Sequence, residues 1–177
     1  MSISRLKFLA TGLAFIVAGE ATAQMTSDEP PACTAVMAPT GELAAWTTPV
    51  AVTAAGREGR SSAAPLMVGQ AAQVTLLPTP EVAYPVRPDK PGGSVSYGGL
   101  LRLEVRQAGT YRIALGSGAW LDLVARGKAL TSVAHGRGPA CTGIRKMVDF
   151  ALTPGRHTLQ IAVNGEPQVT VMAVRLP

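Results

Sequence analysis

The sequence predicts an all-β fold, an antiparallel jelly-roll-like β-sandwich with an extended N-terminal arm tied to it by a disulfide. Three observations carry this. From Ala72 onward, β-branched and apolar residues alternate with polar ones at a period of two. Turn signals interrupt that alternation at intervals of roughly 8 to 12 residues. No segment beyond Ala72 repeats at the helical period. An immunoglobulin sandwich is not matched, because one of the two cysteines lies ahead of the strands and the Cys to Trp to Cys order is missing.

Residues 1–23 read as a secretory signal peptide. Arg5 and Lys7 give the basic start, Phe8 to Ala18 the apolar middle, and Ala21-Thr22-Ala23 the small-residue cleavage site ahead of Gln24. The apolar stretch falls short of the roughly 20 residues that cross a bilayer. A buried N-terminal helix, the competing reading, explains neither the charge order nor the cleavage site. No later segment qualifies as a membrane helix, and the residue after the site is not Cys, so a periplasmic or secreted protein is expected. Sixteen Lys and Arg stand against eleven Asp and Glu, a net charge of +5, and loss of the signal lowers it by one. These charges are scattered rather than clustered, which with export argues against a nucleic-acid partner and fits a solvated surface.

What remains after the signal suffices for one domain with its own core. Residues 24–66 read as the arm, because Pro30-Pro31, Pro39, Pro49 and Pro65 interrupt any long helix; a short helical turn fits only around Glu42 to Trp46. Gly56 to Ser62 reads as an exposed loop. Cys33 lies in the arm and Cys141 among the strands, an even count that export would oxidise to a disulfide. Closing a loop of about 108 residues stabilises by about 4 to 5 kcal/mol in the chain-entropy treatment. A redox or metal-binding pair would call for a CxxC spacing, which is absent.

Residues 67–177 read as the sandwich. Gln73 to Leu77 is a strand ended by Pro78 and Pro80, Val82 to Tyr84 a second, and Pro85 to Gly93 a loop. Leu101 to Val105 alternates strictly, and Ala108-Gly109 turns the chain into Tyr111 to Leu115 as a hairpin. Trp120 to Val124 follows, reversed by an Arg-Gly or Gly-Lys turn at Arg126-Gly127-Lys128 into Ala129 to Val133. Lys146 to Phe150 leads through Pro154-Gly155 to a strand with Leu159, Ile161 and Val163 on one face. Asn164-Gly165 is the strongest hairpin signal, ahead of Val169 to Arg175.

Four residues stand out as candidate ligand contacts: Trp120, Asp122, His135 and Arg137. Ala134 to Cys141 is a glycine-rich loop in which Gly136 and Gly138 allow backbone conformations closed to other residues, so that His135 and Arg137 can face a ligand. The alternative is a loop whose glycines serve only the turn. Trp120 and Asp122 share a parity opposite to Leu121 and Leu123. A Trp beside polar groups on an open sheet face suits a sugar, whose apolar face stacks on the ring while carboxylates and amides bind its hydroxyls. The alternative puts Trp120 in the core.

Catalytic signals are sparse. The two histidines, His135 and His157, with Asp122, Asp149 or Glu166, make the minimum inventory for a two-His-one-carboxylate Fe(II) site, without a local motif. No G-x-S-x-G elbow appears. Among Glu81, Glu104, Asp122 and Asp149, no spacing selects a glycosidase pair. A noncatalytic role without a cofactor is the default.

The stretch from Gly109 to Val174, with AGTYRIALGSGAWLDLV and GKALTSVAHGRGPACTGIRKMVDFALTPGRHTLQIAV, resembles carbohydrate-binding jelly rolls of the galactose-binding kind, though it has no match to their ligand motif. Most of the mature chain is also similar to short exported bacterial β-sandwich proteins to which the name homogentisate 1,2-dioxygenase is sometimes attached. The first resemblance implies a module that binds a glycan or another envelope component. The second implies, as the enzymatic alternative, a ring-cleaving dioxygenase with Fe(II) at His135 and His157; the His-and-Glu iron motif of the large cupin dioxygenases is not recognisable here. A third alternative is an envelope assembly protein that offers an edge strand to a partner.

Overall fold

The computed structural model describes residues 33–59 and 64–177. Residues 1–23, read as a signal peptide, residues 24–32 of the arm and residues 60–62 of the expected loop lie outside them. Twelve strands are described: β1 (Val50–Thr53), β2 (Pro65–Leu66), β3 (Ala71–Thr75), β4 (Leu77–Pro78), β5 (Tyr97–Val105), β6 (Gly109–Leu115), β7 (Trp120–Ala125), β8 (Lys128–Ala129), β9 (Ala134–Gly136), β10 (Lys146–Leu152), β11 (Gly155–Asn164) and β12 (Gln168–Arg175). Two 3-10 helices, Gly41–Thr47 and Thr79–Glu81, complete the list.

The strands form two sheets. Sheet A runs β1-β3-β12-β6-β10-β9 and sheet B runs β2-β5-β11-β7-β8. Their central orders, β3-β12-β6-β10 and β5-β11-β7-β8, are the interleaved pair of four-stranded sheets of a jelly roll. All pairings are antiparallel except β1 with β3 and β2 with β5.

That topology corrects the expected hairpins. The Ala108-Gly109 turn joins β5 of sheet B to β6 of sheet A, and Asn164-Gly165 joins β11 of sheet B to β12 of sheet A, so both short turns cross the sandwich. At the second crossing a bulge interrupts the register between Ile161 and Asn164, and Val163 adopts φ +58°. The bulge reverses the expected faces. Val163 turns outward, and Asn164 goes in, where its amide donates to the carbonyls of Glu166 and Gln168. Arg126-Gly127, with φ +51° and +72°, is the true two-residue hairpin, between β7 and β8.

Val82 to Tyr84 is not a strand. The Tyr84 hydroxyl donates to the Ile161 carbonyl, 3.1 Å, and lies so close to Gly98 that any Cβ there would overlap it. Ala129 to Val133 pairs only at its start. After Leu130, whose N–H reaches the Leu123 carbonyl, the chain leaves sheet B and enters sheet A as β9.

Leu101, Leu103, Leu121, Leu123, Leu159 and Ile161 from sheet B meet Ile113, Leu115, Val148, Phe150 and Val171 from sheet A in the core. A second cluster covers the outer face of sheet A. Within the stretch read as an arm, the 3-10 helix lays Leu43 and Trp46 on Ala114, Met172 and Val174, and β1 joins the sheet edge. This explains why β12 is apolar at consecutive positions, since both of its faces are covered. Cys33 and Cys141 form the expected disulfide, and beside it the Met37 N–H donates to the Cys141 carbonyl at 2.7 Å. Among the described residues, no helix is long and apolar enough to cross a membrane.

Candidate binding groove

Sheet B ends at β8 and sheet A at β9, and Leu130–Val133 crosses between these edges. Because β8 pairs only with Val124 and Ala125, the first residues of β7 have no strand on that side. A groove of about 530 Å³ opens there. Its apolar lining comes from Leu121, Leu130, Val148 and Phe150, the margin of the core; its polar lining comes from Trp120, Asp122, Ser132, His135, Arg137 and Lys146. The four residues expected to contact a ligand thus share one cavity, although they come from strands of different sheets.

Register accounts for the sheet A side. His135 faces Val148 across β9 and β10, so it shares the inward face of Val148 and Phe150. Arg137 and Lys146 have the same parity. His135 and Arg137 are exposed, whereas Lys146 is half-buried, with its Nζ donating to the Ala119 carbonyl at 2.9 Å. Gly138 is required for a close approach, because a Cβ there would overlap Ile144. The left-handed backbone expected of Gly136 and Gly138 falls instead on Cys141, φ +62°, and Gly143, φ +77°.

On the sheet B side, Leu121 and Leu123 point into the core, and Trp120 and Asp122 lie on the other face, half-buried. Trp120 Nε1 donates to Asp122 Oδ2 at 3.0 Å, which fixes the indole. The same oxygen accepts from Gln160 Nε2 at 2.8 Å, its cross-strand neighbour on β11. Gln160 also reaches the Val86 carbonyl at 2.9 Å, pinning the Tyr84–Pro91 loop across this face. The loop brings Lys90 with it. Lys90 Nζ stands 5.8 Å from the Trp120 ring centroid and Lys146 Nζ 5.5 Å, both within cation–π range. The ring that an open sheet face would have left bare is therefore shared with two ammonium groups. Burial, and then Lys90, push the Lys146 ammonium below its usual pKa, with Asp122 pulling it back up.

The other candidates lie elsewhere. His157 is buried near the start of β11, its Nδ1 3.2 Å from the Gly155 carbonyl, in a second cavity lined by Arg126, Lys128 and Arg156 that meets the groove at Leu130. His135 and His157 thus belong to different sheets and different cavities, and among the described residues no group of three His, Cys, Asp or Glu is placed to hold a metal. Asp149 forms a bidentate pair with Arg112, and Glu104 a loose one with Arg156 at 4.0 Å.

Sequence reasoning missed Lys90, Lys146 and Gln160. Lys146 carried a readable signal, a lysine in phase with the apolar Val148 and Phe150. Lys90 and Gln160 carried none, because only the path of the loop over residues 84–91 brings Lys90 to Trp120, and only the β7–β11 register sets Gln160 opposite Asp122. No protein-family model matches the chain, and no curated protein aligns with it significantly.

Proposed function

We propose that this protein is a noncatalytic binding module of the periplasm or extracellular space that holds a glycan, or another envelope component, in the groove between β7–β8 and β9–β10. One observation carries the reading: Trp120, Asp122, His135 and Arg137 converge on a single open groove with an apolar floor. Such a surface offers a ring for the C–H face of a sugar and polar groups for its hydroxyls. The groove's carboxylate, Asp122, is engaged in orienting Trp120 and Gln160, a positioning role rather than proton transfer. The disulfide between Cys33 and Cys141 suits an oxidising compartment.

The test is retention of labelled peptidoglycan and envelope polysaccharides by the purified protein and by Trp120→Ala. The variant should keep its fold, because Trp120 lies outside the core, and should lose at least tenfold in affinity. Equal binding by both proteins would remove the groove from consideration.

A further inference from the structure

The groove holds more positive charge than its own carboxylate answers. Lys90 and Lys146 both approach the indole of Trp120; Lys146 and Arg137 line the cavity, and Lys90 reaches the ring from the loop over residues 84–91. Among the described residues none of the three cations is in an ion pair; the pairs that form are Arg112 with Asp149 and Arg156 with Glu104. Asp122 is the carboxylate of the groove, and one of its oxygens already takes two hydrogen bonds from neutral donors. Its other oxygen accepts none from the described residues.

Two ammonium groups held at one ring repel each other, and the repulsion grows as water leaves. An anion entering the groove relieves it. Lys146 is positioned for this by its bond to the Ala119 carbonyl, which uses one of its three protons. Lys90 is positioned by the loop that Gln160 anchors. A bare inorganic anion would use only these cations, whereas the groove also presents the half-exposed indole and the apolar floor of Leu121, Leu130, Val148 and Phe150. A ligand that matches all of this has an apolar face, hydroxyls and a negative charge.

We propose that the groove selects an acidic glycan, a uronate-containing chain whose carboxylate lies between Lys90 and Lys146 while the sugar's C–H face lies on Trp120 and a hydroxyl donates to the free oxygen of Asp122. This rests on the glycan reading above and adds the ligand's charge. Arg137 and His135, which share the sheet A wall with Lys146, meet the next residue of the chain. Binding is then salt-sensitive, because the contacts to the carboxylate are electrostatic.

Calorimetry with oligomers of galacturonate, glucuronate and mannuronate, each beside its methyl ester, tests the proposal, since esterification removes the charge and keeps the sugar. The expected result is that at least one acid form binds tenfold or more tightly than its ester. Lys146→Gln and Lys90→Gln should each lower that affinity at least fivefold and leave ester binding unchanged. Lys128→Gln, at the start of β8, changes the net charge equally and should alter affinity less than twofold. Equal affinity for acid and ester, or preference for neutral polysaccharides with sensitivity to Trp120→Ala, would overturn the anionic ligand and leave the glycan reading standing. Absence of binding to every acid, ester and neutral glycan would overturn both. Thermal unfolding of each variant separates lost contacts from lost fold.

Discussion

The outer face of sheet A and the groove at the sheet edges combine the same kinds of residue to opposite ends. On sheet A, Arg112 and Asp149 face each other across β6 and β10, and the guanidinium meets both carboxylate oxygens at 2.8 Å. Asp149 keeps only 8% of its side chain exposed and Arg112 25%, and the pairing raises the pKa of the guanidinium. In the groove, Asp122 and Gln160 also face each other across two strands, but the carboxylate is held by an indole and an amide. The cations there, Lys90 and Lys146, gather on the ring instead. Charge on sheet A is closed within the fold. Charge in the groove has no such ion pair among the described residues.

The comparison is most exposed at Asp149. Asp149→Ala leaves the Arg112 side chain, 25% exposed, without the carboxylate that takes two of its hydrogen bonds, and we expect a loss of about 2 to 3 kcal/mol, below the roughly 3 to 5 kcal/mol of a wholly buried pair. Urea denaturation measures it, and glycan binding by the folded variant should match the parent protein. A loss under about 1 kcal/mol, the range of surface pairs, would mean that sheet A's pair is no more closed than an exposed one. Next in size is Gln160→Leu. It removes the donor to the Val86 carbonyl and to Asp122, which at a site 1% exposed should cost about 1 to 2 kcal/mol. It also releases the loop that carries Lys90, so affinity for an acidic ligand should fall together with stability. Unchanged affinity would show that the loop holds its place without Gln160.

Much of the fold was legible because a period of two is a local property. Leu101, Leu103, Leu121, Leu123, Leu159 and Ile161 all take the faces their parity assigns, and the two cysteines pair as their number and context predicted. What short-range patterns do not encode is which sheet a strand joins. Asn164-Gly165 has the chemistry of a hairpin turn, yet it crosses between sheets, because the bulge at Val163 bends the chain away from sheet B. The site divides in the same way. Trp120 and Asp122 follow from parity within one strand, and Lys146 could have been found as the charged residue in an apolar stripe. Lys90 reaches the ring through contacts between Gln160 and Val86, which lie 74 residues apart.

The smallest expected effect separates the two regions most sharply. Burial and Lys90 depress the pKa of Lys146 below 10.5, opposed by Asp122, and Arg137 and His135 stand beside it on the same wall of the groove. A cation whose pKa is lower in the folded than in the unfolded chain gives a folded state that binds fewer protons. Its penalty is complete below the folded pKa and is relieved as pH rises through that value toward 10.5. Lys146→Gln removes the penalty along with the bond to Ala119, so at pH 7 stability should change by no more than about 0.5 kcal/mol. As pH rises toward 10.5 the parent protein should gain on the variant, because only the parent has a penalty to lose. Urea midpoints of both proteins at neutral and alkaline pH read this difference directly. A loss as large as that of Asp149→Ala, or a gap between the two proteins that does not move with pH, would make Lys146 a structural cation like Arg112, and the groove would then be as closed as sheet A.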